Sequence, residues 1–312
     1  MQREFRQFEW NGQLESDWRV LLALALAEDL GHDGDWTSRA LIAPGIRGSA
    51  ELVARRAGVI AGLPAVPATL AAVDPGLRFS PAVDDGQRVE ASQLVGRIDG
   101  PAVAILSAER IMLNLLGRLS GIATRTRQFV DAVAGTAARI YDTRKTTPGW
   151  RRLEKYAVRC GGGWNHREGL FAAVLIKDNH LAVGRVGRGP DETFSAANAV
   201  RRARAFLRQQ RGDAAEPMIV EVELDSLDRL EEVLAAEPDI VLLDNMTPAQ
   251  LREAVARRDA LGSRVEFEAS GGVDLENVRD VAGCGVERIS IGALTHSAPA
   301  LDLALDWADP AD

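Results

Sequence analysis

The chain has 312 residues, 46% of them apolar and 26% charged, with a formal net charge of −8. That length and apolar content suffice for one large domain or two ordinary ones, and the acidic balance argues against a general affinity for nucleic acid, so that any basic patch must be local and suited to a small anion. Cys160 and Cys284 are too few for a disulfide framework and lack metal-ligand spacing, while no apolar run resembles a signal sequence or reaches the length of about 18 residues that spans a bilayer, so a soluble cytoplasmic protein is expected.

Taken in chain order, "SDWRVLLALALAEDLG" predicts an amphipathic helix with Ser16 or Asp17 as cap and Gly31 as stop. From Gly48 the texture changes to short β-like runs, "SAELVARRAGVIAG", "RVEASQLVGRIDG" and "AVAIL", separated by "DDGQ", "DG" and "GP". A helix capped by Ser107 follows, running to about Ala134 with a break at Gly117 to Gly121, where two domains would join. Beyond it six short apolar runs recur, at 138–143, 172–178, 218–223, 239–244, 264–270 and 288–292, most of them separated by helical segments. Strands alternating with helices predict a parallel sheet, and six with no obvious edge predict a closed β/α barrel. A doubly wound open sheet is the second choice, but no GxGxxG follows the first strand.

Residues 142–169 hold seven Lys or Arg against three Asp or Glu, a local excess of positive charge in an acidic chain. The helical piece "GWRRLEKYAVR" makes Arg151, Arg152, Lys155 and Arg159 a solvated face. The rest belongs to a wider pattern, because each of the six runs reads as apolar until its C-terminal end. There stand Arg144 and Lys145, Lys177 and Asp178, Glu223, Asp244, Ser270 with Gly271 and Gly272, and Gly292. C-terminal strand ends form the active-site mouth of β/α barrels, so these residues are expected to converge. "EASGGVDLENV" and "SIGALTHSA" each place small residues after a strand, the first at Ser270 to Gly272 and the second at Gly292 and Ala293, where backbone N–H groups can hold a phosphate. Glu223 and Asp244 can ligate Mg²⁺, hold sugar hydroxyls or stabilise a developing cation. Arg144, Lys145, His166, Arg167 and Lys177 form a cationic group able to face several carboxylate or phosphate oxygens.

The segments "DTRKTTPG", "KYAVRCGGGWNHR", "LIKDNH", "EVE", "LLDNM", "EASGG" and "SIGALTHSAPALD", preceded by "AEDLGHDGDWTS" and "AERIMLNLLGRLSGIAT", resemble in order those of the quinolinate phosphoribosyltransferases. The resemblance covers nearly the whole chain. It implies an N-terminal open α/β sandwich, residues 1–115, and an incomplete β/α barrel, residues 116–312, whose last residues pack back on the sandwich. It implies transfer of phosphoribosyl from 5-phosphoribosyl 1-pyrophosphate to quinolinate with Mg²⁺, giving nicotinate mononucleotide, pyrophosphate and CO₂ in NAD biosynthesis. A homodimer or a hexamer built from dimers is implied as well. By the same resemblance Arg144, His166, Arg167 and Lys177 serve the quinolinate carboxylates, joined by Arg110 from a neighbouring subunit, and Thr143 is a further substrate-binding residue. Lys145 meets the pyrophosphate, and Glu223 and Asp244 meet the ribose hydroxyls and Mg²⁺. Ser270, Gly271, Gly272, Gly292 and Ala293 hold the 5-phosphate, with His296 close by.

Three other readings compete. A sister phosphoribosyltransferase would act on another aromatic acid or serve as a molybdenum-related pyrophosphorylase, although full retention of "DTRKTTPG" with Arg167 and Lys177 favours quinolinate. Lys177 at a strand end could be the Schiff-base lysine of an aldolase-type barrel. An anion sensor on an inactive barrel is disfavoured by the presence of both acids. Trp164 either tunes the pocket or packs, and the glycine-rich segment 184–194 is either an edge of the site or a connector.

Overall fold

The computed structural model describes residues 3–184, 194–212 and 218–308, so that 185–193, most of the glycine-rich segment, lie outside the described residues. The chain divides into two compact units, each assembled from separate stretches. The antiparallel-sheet unit takes Gln7–Gln128, Lys145–Gly163 and Ala293–Asp312, and the parallel-sheet unit takes Met1–Arg6, Phe129–Arg144 and Trp164–Gly292.

In the antiparallel-sheet unit β1 (Arg47–Ala54) and β5 (Leu94–Pro101) are the long strands, and β2 (Gly58–Val59), β3 (Arg78–Pro81) and β4 (Arg88–Val89) are short because Gly, Pro and Asp turns punctuate them. The first helix, Gly12–Leu30, starts earlier than its apolar spacing suggests, because the Asn11 side chain accepts from the N–H groups of Gln13 and Leu14. "AVAIL", read above as β-like, is instead the beginning of a 31-residue helix, Ala102–Ala132. Ser107 therefore lies inside that helix, where its hydroxyl donates back to the Val103 carbonyl at 2.8 Å rather than capping. Ile105, Ala108, Met112 and Leu116, at helical spacing, bury one face of it with Leu52, Val95 and Ile98 of the sheet. Each of the Ile, Met, Leu and Val side chains among them contributes about 1.5–3 kcal/mol on leaving water.

Gly117 and Gly121 do not break the helix. A side chain at Gly117 would press on the Leu301 carbonyl, and one at Gly121 would overlap the Pro299 carbonyl. The glycines are there for close backbone approach. The expectation of a solvated helix at Arg151–Cys160 is also corrected: Lys155 is 0% exposed, Leu153 to Val158 are all buried, and Arg152 pairs with Asp17 at 3.1 Å.

The parallel-sheet unit contains β6 (Arg139–Tyr141), β7 (Val174–Ile176), β8 (Val220–Leu224), β9 (Ile240–Asp244), β10 (Glu266–Ser270) and β11 (Arg288–Ser290). All five neighbouring pairs run parallel, in the order β6-β11-β10-β9-β8-β7. The closed barrel expected from periodicity is thus not closed by hydrogen bonds: β6 and β7 stand at opposite ends of the row, and the architecture is the incomplete barrel that the resemblance implied. Helices Ala196–Arg211, Leu230–Leu234, Pro248–Ala260 and Val278–Ala282 accompany the strands. Pro248–Ala260 begins with a full capping box between Thr247 and Gln250. After Gly292 the chain re-enters the antiparallel-sheet unit, where β12 (Leu303–Trp307) pairs antiparallel with β1 and extends the sheet to the order β12-β1-β5-β3. Among the described residues no helix is long and apolar enough to cross a membrane.

Candidate active site

The parallel register brings the predicted strand-end residues to one edge of the six-stranded sheet. Ser270 lies level with Asp244 and with Ser290, Ser290 lies level with Tyr141, and Glu223 pairs with Leu242. Ile176 pairs with Val222, which puts Lys177 beside Glu223, and their side chains form an ion pair. Thr143, Arg144 and Gly292 follow the same edge directly in sequence.

Arg167 is positioned by a segment that clips onto β6. Trp164 donates to the Ile140 carbonyl at 2.7 Å and its own carbonyl accepts from Asp142 at 3.0 Å. The buried Asp142 carboxylate then accepts from the Asn165 side chain at 2.7 Å and from the His166 N–H at 2.8 Å. The Trp164 ring packs, with the Arg139 guanidinium 4.3 Å from its centroid and the core residues Phe5 and Tyr141 around it. At the far end, the Arg167 guanidinium donates to the Ala173 carbonyl at 3.1 Å. Burial, and next the nearby charge of Arg144, push the Arg167 pKa down, with Glu221 opposing them. Two guanidinium groups thus share one partly desolvated place, the electrostatic condition for holding a polyanion.

The loop after β10 is shaped by side chains that the sequence reading passed over. Asn245, at φ +54°, donates to the Asp244 carboxylate at 2.7 Å, and its N–H reaches the Ser270 carbonyl at 2.8 Å. Gly271 has φ +89°, and a side chain there would collide with Asn245. Asn277 donates to the Gly272 carbonyl at 2.8 Å. The following helix starts only at Val278 and has five residues, so the bare N–H groups near Gly271 and Gly272 belong to the loop rather than to a helix end.

Arg110, Lys145, Ala293 and His296 belong to the antiparallel-sheet unit. Arg110 lies exposed on the Ala102–Ala132 helix, and the exposed His296 ring contacts the Ser297 hydroxyl at 2.6 Å. A network absent from the sequence reading holds the turns that carry Lys145 and His296. The Glu154 carboxylate, 0% exposed, accepts from Arg118 at 2.6 Å, from the Thr147 hydroxyl at 2.8 Å and from the Thr147 N–H at 3.1 Å. Arg118 also donates to the Thr295 carbonyl at 2.6 Å, and the Thr295 hydroxyl donates to the Lys145 carbonyl at 2.7 Å.

Glu221 and Glu268 are hidden in sequence, within strands that read as apolar up to the end. Both are 0% exposed and sit two residues before Glu223 and Ser270, on the same strand faces. The period-2 spacing of "EVE" and "EAS" is the signal that could have found them. Burial pushes Glu221 up to about 8 despite the charges of Arg167, Arg288 and Lys177. Burial, reinforced by Glu221, pushes Glu268 up to about 7 against the pull of His166, Ser290 and Arg288.

A parallel β/α sheet whose C-terminal edge gathers two arginines, a lysine, two acids and a glycine loop defines an enzyme of anionic substrates with a strand-end site. The family described as "Quinolinate phosphoribosyl transferase, N-terminal domain" matches residues 35–120, and the corresponding C-terminal domain matches residues 122–306. Nicotinate-nucleotide pyrophosphorylase [carboxylating] of Mycobacterium leprae is 45% identical over 293 residues, covering 92% of this chain and 96% of its own. Quinolinate phosphoribosyltransferase [decarboxylating] 1b of Nicotiana tabacum is 38% identical, covering 93% and 82%. The solved nicotinate-nucleotide pyrophosphorylase of Francisella tularensis superposes with a TM-score of 0.85 at 34% identity, over 98% of this chain and 100% of its own. The chain belongs to the quinolinate phosphoribosyltransferase family.

Proposed function

We propose that the protein transfers the phosphoribosyl group of 5-phosphoribosyl 1-pyrophosphate to quinolinate with loss of CO₂, giving nicotinate mononucleotide and pyrophosphate for NAD biosynthesis. The observation that carries this reading at the site is the buried Arg167 with the cationic Arg144 near it at the C-terminal edge of the parallel sheet, a pair suited to a dianion. Family membership supports the reaction class, a pentosyl transfer.

In this reading Arg144, Arg167 and Lys177 bind the quinolinate carboxylates, with Thr143 beside them. When the substrate arrives, the Lys177 ammonium exchanges part of its contact with Glu223 for a substrate oxygen. Glu223 is then free to face the ribose as C1 gains oxocarbenium character, and fixed negative charge there lowers the barrier. The pyridine nitrogen attacks C1 as the bond to pyrophosphate breaks. The positive ring nitrogen stabilises the electron pair left on the adjacent carbon as the C–C bond to CO₂ breaks, and that carbon then takes up a proton from solvent, so the protein's part is to orient the dianion. The loop from Ser270 to Gly272, with Gly292, offers N–H groups to the 5-phosphate.

Glu223 and Asp244 stand on neighbouring strands and offer only oxygen ligands, the donor set a hard cation takes. Mg²⁺ fits there together with substrate oxygens, and when bound it would supply charge neutralisation for the departing pyrophosphate. For Lys145 at the pyrophosphate, Ala293 and His296 near the phosphate, and Arg110 donated across a homodimer or a hexamer of dimers, the resemblance alone supports the reading. A cytoplasmic location belongs to the same proposal.

The test is turnover. Purified protein with Mg²⁺ and 5-phosphoribosyl 1-pyrophosphate should release labelled CO₂ from carboxyl-labelled quinolinate and form nicotinate mononucleotide. Equal use of nicotinate with no CO₂ from quinolinate would favour a sister phosphoribosyltransferase and defeat the proposal.

A further inference from the structure

Residues 3–6 have no regular secondary structure, yet they belong to the parallel-sheet unit, whereas Gln7–Gln128 belongs to the other. Side chains hold them in place. The Glu4 carboxylate accepts from the Tyr141 hydroxyl at 2.7 Å and from the Arg288 guanidinium at 3.0 Å, and Arg288 also donates to the Arg3 carbonyl at 3.2 Å. Arg3 in turn donates to Asp239, next to β9, at 3.0 Å. Arg288 is 2% exposed, and a cation so buried must keep its carboxylate partners, which makes Glu4 a firm anchor.

That anchor delivers Phe5 to the inner face of the sheet. Phe5 is buried in one core cluster with Tyr141 of β6, Ile240 of β9, and Ala173 and Ile219, which stand just before β7 and β8. Ile219 precedes Glu221 by two residues and Glu223 by four, on one strand face, so the cluster forms the layer beneath the strand-end site. Because β6 and β7 end the row without pairing, that layer lacks the side chains that further strands would supply, and an aromatic ring from outside the sheet fills it.

The same ring lies against His166, with ring centroids 4.3 Å apart and planes 31° apart. Arg6 reaches the other neighbour of Arg167, its guanidinium 3.9 Å from the Glu168 carboxylate. Residues 5 and 6 therefore bracket Arg167 through the residues on either side of it. The Arg167 N–H donates to His166 Nδ1 at 2.8 Å, so an imidazole that shifts takes the Arg167 backbone with it.

We infer that Phe5 is a positioning residue for the quinolinate site: held by the Glu4 anchor and packed against His166, it fixes the imidazole, and with it the Arg167 backbone, where both meet the substrate carboxylates. This rests on the reading that His166 and Arg167 serve quinolinate. It adds to the site a residue that no strand end carries.

Kinetics and hydrogen exchange test it together. Phe5→Ala should raise KM for quinolinate by about tenfold or more and leave KM for 5-phosphoribosyl 1-pyrophosphate within about twofold. Phe5→Leu restores most of the lost volume and should stay within about threefold of wild type. In a His166→Ala background, Phe5→Ala should change kcat/KM for quinolinate by less than about twofold, because the group it acts through is gone. An unchanged quinolinate KM in folded Phe5→Ala, equal losses for both substrates, or a full further loss in the His166→Ala background would overturn the inference. In amide exchange followed by mass spectrometry, the peptide holding residues 165–168 should exchange at least about tenfold faster in Phe5→Ala, with the peptide holding Asp244 and Asn245 within about twofold. Unchanged exchange at 165–168 would overturn it whatever the enzyme turns over. If Phe5→Ala does not fold, Phe5→Val takes its place with the same expectations. Failure of wild type to use quinolinate would defeat the proposed function, and the exchange result alone would then decide whether Phe5 seats this stretch.

Discussion

Lys177 and Glu223 face one another across β7 and β8, and that pairing separates two chemistries. A Schiff-base lysine needs a dry pocket or a crowd of cations to free its lone pair, whereas this side chain is 44% exposed and sits on a carboxylate. Borohydride with a carbonyl substrate is therefore expected to trap no adduct at Lys177, as mass spectrometry of the digest would show. Glu268 makes a second prediction at this scale. Its folded value of about 7 stands above the usual 4.5, so the folded state holds the proton more tightly than the unfolded chain. The resulting stabilisation is complete below the unfolded value and is lost as pH rises through the folded one. Glu268 should account for a loss on the order of 2 kcal/mol between about pH 5 and pH 8 in chemical unfolding, Glu221 adding a loss of the same sign, and Glu268→Gln should reduce that slope without abolishing it. The strand-end residues were legible in the sequence because a parallel sheet brings every C-terminal end to one edge. Glu221 and Glu268 were not, since a charged residue inside a short apolar run looks like a solvent-facing position unless the sheet's inner face is already known.

At the scale of elements, the helix Ala102–Ala132 shows how a glycine can mean two things. Gly→Ala in an exposed helix is worth about 1 kcal/mol of added stability. At Gly121, a methyl group would overlap the Pro299 carbonyl. Gly121→Ala should therefore destabilise, by about 1–3 kcal/mol in thermal or urea unfolding, and Gly135→Ala would be a poor control because its φ is +81°. Sequence alone reads Gly117 and Gly121 as breakers, because the backbone that passes them lies about 180 residues further along. The Arg118–Glu154 pair belongs to this scale as well, since it joins the long helix to two turns and to Arg151–Cys160. Arg118→Met leaves a buried carboxylate without its cation and should cost about 3 kcal/mol. The same helix start, "AVAIL", shows why β-like composition misled: five apolar residues fit a strand or a helix turn equally, and here tertiary packing chose the helix.

For the whole molecule, the alternation of strands and helices was enough to foresee a parallel sheet, and the long shared motifs were enough to foresee the family. Closure was beyond reach, because whether the end strands β6 and β7 meet depends on sheet curvature and not on any local pattern. The proposed sharing of Arg110 between subunits belongs here. Arg110→Ala and Lys177→Ala, each inactive alone, should regain partial activity when mixed and re-assembled; mixing confirmed by mass spectrometry without recovered turnover would argue that each site is complete within one chain.

The chain passes between its two units after Arg6, Gln128, Arg144, Gly163 and Gly292. A single cut anywhere between Arg6 and Gly292 would thus yield fragments of which at least one carries pieces of both. Lys145–Gly163 and β12 could not stay with their partners unless both fragments folded together. Neither unit is a cassette that recombination could lift out and attach to another protein.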